Sequence, residues 1–450
     1  LTNWLPLGKQ VLDNVSDVIH RRHRQYGCIE VSLSSLSHSS LWQKTGRWEN
    51  GELFKLNDDF CLAATAEEEI TQLVNNHVDS YKKLPLIAYQ LTRKYRNEKR
   101  ARGGLLRGRE FVMKDAYSFD SSKENALKSF EMMNELYRDV FEDLKLPWVK
   151  ANADSGDIGG DLSYEWHIVS PIGEDTILEC ESCHKSSNVE RATANKQFEA
   201  DSKTNMAMES NVEYYLTKTK ELVSIYWPKD RKLSMKFVKE EDLLEIDESI
   251  SGEKAVEAYK TYNDAQDDLL KIYRVVDMNV GPGTTMPDMP VKFSRNKMVT
   301  FDELDITEVQ EGDKCLECDG YLSEKKGVEV GHTFYLGTKY SDPMNASFVD
   351  KDGSKKIFEM GCYGIGVSRI VGVIAEIMRD NIGLRWPARI APLQVSIIPI
   401  GDNSVQHAKE LSNKLKWDNE VDDSEDIGFG KKILKSKMIG VPLQVIIGKR

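Results

Sequence analysis

The amino-acid sequence predicts a mixed α+β fold with small α/β domains attached, on three observations. Segments with apolar residues at helical spacing flank short stretches of strand-like alternation. Two β-like stretches, around 89–96 and 109–118, are joined by a loop of Arg and Gly, which reads as a hairpin. From about residue 391 the pattern runs buried strand, helix, buried strand, the signature of a small α/β domain.

In chain order, Trp4 to Tyr26 reads as a helix, with Leu7, Val11, Val15, Val18 and Ile19 on one face. Residues 28–33 read as a strand, because Ile29, Val31 and Leu33 alternate with polar residues. Residues 65–90 read as one long helix, opened by Thr65 ahead of Glu67, Glu68 and Glu69. Helical spacing returns at 123–144. From about 195 to 310 the chain is acidic and Lys-rich with weak patterning and a Gly-Pro-Gly at 281–283, which we read as a loosely organised inserted domain. Regular patterning resumes at 328–346 and 357–379. Residues 393–400 and 443–448 read as buried strands and 405–416 as a helix, with the preceding boundary near Trp386-Pro387 and Ala391-Pro392.

A chain of 450 residues suggests two to four domains, and 40% hydrophobic with 30% charged residues is enough to bury several cores. No run of 18 apolar residues is present, so no membrane span is expected, and neither a basic Ser-rich leader nor a secretory signal is visible. A net charge of −12 argues against a protein living on non-specific phosphate contacts, although a local basic patch remains compatible with it. Seven Cys, an odd number, fit a reducing compartment better than a disulfide framework. Cys180-x-x-Cys183 and Cys315-x-x-Cys318 have the composition of a tetrahedral Cys₄ zinc site; reduced, unliganded thiols are the alternative.

The densest chemistry lies at 94–119. The hairpin tip carries Arg100, Arg102, Arg107 and Arg109, whose rigid forks suit phosphate oxygens, and two Gly that let the backbone come close to a ligand. Phe111 offers a ring face and Glu98 an acceptor for an amino group. An exposed cationic hairpin is the plain alternative. Gly361, Gly364, Gly366 and Arg369 form a second Gly-rich stretch, equally readable as helix packing. Thr65-Ala66-Glu67 offers a carboxylate and a hydroxyl for a buried cationic amine, or equally an N-cap Thr with first-turn acids.

Together these stretches resemble the class II aminoacyl-tRNA synthetases, and the prolyl-tRNA synthetases of bacterial and organellar type in particular. Arg96-Asn97-Glu98 with Arg109-Glu110-Phe111 resembles their motif 2, and 359–371 their motif 3. The resemblance covers roughly 1–195 and 310–450. It implies a class II catalytic domain, an antiparallel sheet flanked by helices, at 1–195 and 311–390. It further implies an inserted α/β domain at 196–310 and an anticodon-binding domain at 391–450. Arg96 would grip the α-phosphate and the substrate carboxylate. Glu98 and Phe111 would hold adenine, Arg107 would join the ATP site, and Arg369 would lie on the γ-phosphate. Thr65 and Glu67 would hold the secondary amine of proline.

Gly327 to Ser341 resembles the family strand carrying an Mg²⁺ ligand, here Glu329, and the floor of the proline pocket, here His332 and Phe334; a strand His is also common as plain core. Cys362 would line the same pocket, or be an ordinary buried Cys. Gly159 to Trp166 matches a further family stretch that adds Glu165, with Tyr164 where the family has His. Some relatives carry the same two Cys pairs. In the C-terminal domain Asp422, Asp423, Lys431, Lys432, Lys435 and Lys437 are implied anticodon contacts; a solvated amphipathic helix is the alternative. The expected reactants are ATP, Mg²⁺, L-proline and tRNA(Pro).

The sequence departs from the family pattern in places. Ser34 and His38 replace motif 1 prolines, Ala66 replaces a common His, and no editing Lys and His are recognisable in a short insertion. We expect a homodimer, absent or weak editing of alanyl-tRNA, and residence in the mitochondrial matrix, with bacterial cytoplasm the alternative. Another class II synthetase and a non-catalytic synthetase-like protein are the rival readings.

Overall fold

In the computed structural model the hairpin strands join one large sheet in the first of two units. That unit comprises Leu1–Asp175 and Lys326–Arg450; the second comprises Thr176–Lys325. The structure describes residues 2–101, 103–160, 162–194, 209–265, 269–281, 283–318, 320–401 and 403–448. Arg102, Asp161, Pro282 and the stretch 195–208 of the expected insertion lie outside them.

The sheet of the first unit runs in the order Ile29–Glu30, Leu86–Tyr95, Glu110–Asp120, Glu359–Ile365, Leu322–Gly337, Leu162–Val169, Trp148–Asn152. Its neighbours are antiparallel except the first pair. The register sets the site: Cys362 pairs with both Tyr117 and Phe334, and Glu165 with His332. One face is covered by the helices Pro6–Gln25, Lys123–Asp143 and Val367–Ile377, whose Val11, Val15, Phe130, Tyr137, Val371 and Ile374 share one core. The first helix has Pro near its N-terminus and Arg22, His23 and Arg24 in its last turn, where the helix dipole favours cations. Ser122 caps the second by accepting from the Asn125 amide. The opposite face carries Ile70, Val74, Phe334, Phe348 and Phe358.

Two expectations change. The helix expected over 65–90 spans only Glu67–His77; the chain turns extended at Val78, and a strand begins at Leu86. Pro85 bars a helix from running on to 90, because the residue before a proline avoids the helical region and proline offers no amide. The strand at 28–33 reduces to Ile29–Glu30, with Val31 adding one hydrogen bond to Tyr89 O at 2.8 Å.

The second unit is better organised than its sequence suggests. A five-stranded mixed sheet runs Ile246–Ser251, Ser210–Thr217, Leu222–Pro228, Ile272–Asp277, Met298–Leu304. Val223, Ile225, Val275 and Ile306 pack one cluster, and Leu216, Leu222, Val256 and Ile272 another. At the C-terminal end of the first unit, Val395–Pro399 lies between Asn419–Val421 and Leu443–Ile447, all parallel, beside the helices Asn403–Lys414 and Phe429–Ile439.

Candidate active site

A cavity of about 390 Å³ opens in the first unit, and Arg96 and Arg369 both line it. So do Thr65, Glu67, Glu98, Arg107, Phe111, Glu329, His332, Phe334 and Cys362. These residues come from the Leu86–Tyr95/Glu110–Asp120 hairpin, the Leu322–Gly337 and Glu359–Ile365 strands, and two helix N-termini. Glu165 is not among the lining residues. Its carboxylate lies 3.8 Å from His332 Nδ1 and 3.4 Å from His167 Nε2.

The cationic end is built by the hairpin. The Arg96 guanidinium stands 5.3 Å from the Phe111 ring centre. Glu98 accepts from Arg107 Nε at 2.7 Å and from the Arg100 amide at 2.8 Å, and its backbone carbonyl accepts from Arg109 Nε at 2.9 Å. The Arg100 amide and the Arg107 guanidinium hold the Glu98 carboxyl below the usual range. Gly103 and Gly104 both have φ near +60°, a turn that side-chain-bearing residues resist. Arg369 reaches across from the first turn of its helix. Its Nε donates to Leu106 O at 2.8 Å and its Nη1 to Glu329 O at 2.6 Å. At Gly361 a Cβ would come within 2.2 Å of the Tyr363 hydroxyl, so glycine is required by close approach.

The anionic end is the start of the Glu67–His77 helix. Ala66, not Thr65, occupies the N-cap position, and no side chain caps it. Thr65 Oγ1 instead donates to the Glu67 carboxylate at 2.6 Å, so this Thr does not cap the helix. The Cys362 thiol donates to Glu67 Oε1 at 3.2 Å. Burial alone would push the Glu67 carboxyl up; the Arg47 guanidinium and the Thr65 hydroxyl overcome it, and the net shift is downward. The Tyr117 hydroxyl accepts from the Ala66 amide at 3.0 Å and donates to Asp115 Oδ2 at 3.0 Å, and Asp115 is paired with buried Lys94 at 2.8 Å.

Between the two ends, the His332 and Phe334 rings stack at 3.8 Å, and His332 Nδ1 lies 3.3 Å from Glu329 Oε1. Burial would raise the Glu329 carboxyl, but His332 and Arg369 outweigh it and hold it well below the usual range. Ligand atoms of Glu165, Glu329 and His332 lie within 4.8 Å of one another. An ionised carboxylate beside Arg369 in an open cavity suits Mg²⁺, which is held by one or two carboxylates besides substrate oxygens.

Sequence reasoning missed Glu52, Met113, Asp115 and Asp154, which also line the cavity, and Arg47 and Lys94 behind it. Met113 and Asp115 follow Phe111 at alternate positions on one strand, so strand periodicity could have found them. Nothing local marks Arg47.

In the second unit Cys180 Sγ lies 3.5 Å from Cys318 Sγ and Cys183 Sγ 3.8 Å from Cys315 Sγ, with all four sulfurs within 4.8 Å. These are not disulfide lengths. A tetrahedron with bonds of about 2.3 Å has edges of about 3.8 Å, so the four thiols fit zinc. In the C-terminal domain Lys431, Lys435 and Lys437 are exposed. Asp422 and Lys432 are buried and bond to each other, Lys432 Nζ donating to Asp422 O at 2.9 Å.

Comparison with known proteins agrees with this geometry. Residues 53–378 match the tRNA synthetase class II core domain (G, H, P, S and T), and 394–450 match an anticodon binding domain. The chain is 42% identical to the Saccharomyces cerevisiae protein named "Probable proline–tRNA ligase, mitochondrial", covering all of this chain and 81% of that protein. It is 40% identical to a cytoplasmic proline–tRNA ligase of Candida albicans over all of this chain and 80% of that one. For the proline–tRNA ligase of Persephonella marina the figures are 36%, 100% and 88%. The fold matches the prolyl-tRNA synthetase of Cryptosporidium parvum solved with L-proline and AMP, at a TM-score of 0.59 and 15% identity. That match covers 99% of this chain and 63% of the other, so the chain spans under two thirds of that solved structure. With near-complete matches at 36–42% identity and a class II core matched over 53–378, the chain belongs to the class II prolyl-tRNA synthetases, the proline–tRNA ligases.

Proposed function

We propose that this cavity binds ATP and L-proline side by side and that the chain esterifies proline to tRNA(Pro) in two steps. The observation that carries the reading is one cavity bounded by Arg96 and Arg369 at one end and by Thr65 and Glu67 at the other. Glu67 receives the secondary ammonium, with His332 and Phe334 along the ring. Phe111 stacks on adenine, Glu98 accepts from its amino group, and Arg107 and Arg369 meet the outer phosphates.

In the first step a proline carboxylate oxygen attacks the α-phosphorus, the bond from that phosphorus to the bridging oxygen breaks, and pyrophosphate leaves. Arg96 holds the carboxylate and the α-phosphate together, so positioning and charge neutralisation supply the rate and no protein nucleophile is needed. Glu329 would hold Mg²⁺, which supplies further neutralisation at the phosphates when bound. In the second step a 3′-terminal ribose hydroxyl of the tRNA attacks the adenylate carbonyl and AMP leaves.

The four thiols at Cys180, Cys183, Cys315 and Cys318 would hold a structural zinc ion. Exposed Lys431 and Lys435 are the tRNA contacts we favour, with Asp422 and Lys432 fixing the helix that presents them. A homodimer, a second unit without alanyl-tRNA editing and a mitochondrial location complete the reading; the mitochondrial name of the yeast relative supports the last. ATP–pyrophosphate exchange with proline, alanine and threonine side by side tests the core of it. Proline should dominate; exchange driven equally by threonine, or none with proline, would overturn it.

A further inference from the structure

Three consecutive glutamates open the Glu67–His77 helix, and of these Glu67 alone lines the cavity. Glu67 and Glu68 are both fully buried. Adjacent buried carboxylates repel, so each favours its neutral form unless a cation intervenes. One guanidinium serves both. Arg47 Nη1 lies 3.1 Å from Glu67 Oε2 and 3.2 and 3.3 Å from the two oxygens of Glu68. Its guanidinium is held 4.8 Å from the Trp42 ring and 5.4 Å from the Tyr340 ring, and its backbone amide donates to Trp42 O at 2.9 Å. Trp42 is itself anchored through Nε1 to Ser37 Oγ at 2.7 Å, and that hydroxyl also bonds Glu69. Thr45 donates to Glu68 at 2.7 Å. Arg47 does not line the cavity, so it acts behind the substrate.

We propose that Arg47 is a positioning residue for imino-acid recognition, keeping Glu67 ionised and aimed, with Glu68 as the counterweight that stops Arg47 from neutralising Glu67. A lone Arg47–Glu67 pair would be neutral and would attract an ammonium weakly. With Glu68 sharing the guanidinium, the three side chains carry one net negative charge once Glu68 is ionised, at and above about pH 7, and the substrate ammonium completes it. The inference rests on Glu67 being the amine partner.

The test measures KM for proline and for ATP separately in pyrophosphate exchange, for Arg47→Met, Arg47→Lys, Glu67→Gln and the double variant Arg47→Met/Glu68→Gln. Arg47→Met should raise the proline KM about 10- to 100-fold, the effect of losing a charge-assisted hydrogen bond, and leave the ATP KM within about threefold. Arg47→Lys should fall between, because an ammonium lacks the planar fork. The double variant should recover part of the loss, since it removes the repelling neighbour. A merely structural arginine would move both KM values together, and that result, or an unchanged proline KM, overturns the proposal. If Arg47→Met does not fold, Arg47→Lys decides by the same ratio. An unchanged proline KM in Glu67→Gln removes the amine assignment itself; a raised one beside an unaffected Arg47→Met removes Arg47 alone.

Discussion

Replacing Arg96 by alanine should separate catalysis from folding more cleanly than any other change at this site. In the free protein the side chain stands over Phe111 at 5.3 Å, a cation–π contact worth about 0.5–1 kcal/mol at a partly exposed position. The strand end is held instead by the Arg96 backbone amide, which donates to Arg109 O at 2.9 Å and survives the substitution. The folding loss should therefore stay near 1 kcal/mol, a melting shift of a few degrees in a protein of this size. The catalytic loss should be far larger. Removing one preorganised donor from developing charge costs about 2.7–4 kcal/mol, or 10²- to 10³-fold. Arg369→Ala provides the contrast, because its Nε and Nη1 donate to Leu106 O and Glu329 O at 2.8 and 2.6 Å. Losing two charge-assisted bonds to backbone carbonyls should cost about 2–4 kcal/mol of stability as well as activity. Proline-dependent pyrophosphate exchange and thermal melts on both variants give the two axes. Exchange by Arg96→Ala within about threefold of wild type would refute the role given to it, and a melting loss as large as that of Arg369→Ala would refute the separation.

Three further outcomes follow from the same geometry. Glu98→Ala frees Arg107 and removes the adenine acceptor, so KM for ATP should rise about tenfold in exchange assays while KM for proline stays within about twofold. The purified protein should contain about one zinc per chain by elemental analysis, and Cys315→Ser should lower that content and the melting temperature together; a metal-free, equally stable wild type would exclude the site. Burial, only partly offset by Arg47, pushes the Glu68 carboxyl up to about 7 from an ordinary 4.5. The folded state then binds more protons than the unfolded between those values, so the stability this group contributes is complete below about pH 4.5 and is lost as pH rises towards 7. Glu68→Gln lacks that loss, and its melting temperature relative to wild type should climb between about pH 5 and 8; parallel curves would contradict the assignment.

The site was legible in the sequence where a few residues do one chemical task at fixed spacing. Arg96 and Glu98 follow directly on the strand Leu86–Tyr95 and Phe111 lies on its partner Glu110–Asp120, and strand pairing converts sequence spacing into a shared rim. Arg369 was legible through the resemblance of 359–371 to motif 3, because the Gly-rich stretch alone reads equally as helix packing. What was not legible is charge compensation across the fold. Arg47 follows a short helix with no pattern around it, and its partners lie twenty positions away; only the packed structure shows that Glu68 and Glu69 are interior rather than a solvated acidic turn. The overlong helix at 65–90 has a related cause. Acidic and apolar residues continue at helical spacing past His77, but Pro85 and sheet pairing from Leu86 outweigh local preference. The second unit read as loose, although its strands are six to eight residues long and Val223, Ile225 and Val275 are buried.

The arrangement of charge makes the cavity directional. Arg96, Arg107 and Arg369 gather at one end, and Glu67 stands at the other with Asp115 beside it. Burial works against Glu67 and Glu329, yet both are held on the ionised side, Glu67 chiefly by Arg47 and Glu329 by His332 and Arg369. In the reading proposed above, a proline zwitterion would enter this field with its ammonium towards Glu67 and its carboxylate towards Arg96, an orientation that would aim the nucleophilic oxygen at the α-phosphate. Proline reversed in the cavity would set ammonium against arginine and carboxylate against glutamate, each costing on the order of a few kcal/mol at the effective dielectric of a protein site. On that reading the field would select the reactive pose before any bond changes, and the same small set of side chains would serve recognition and catalysis.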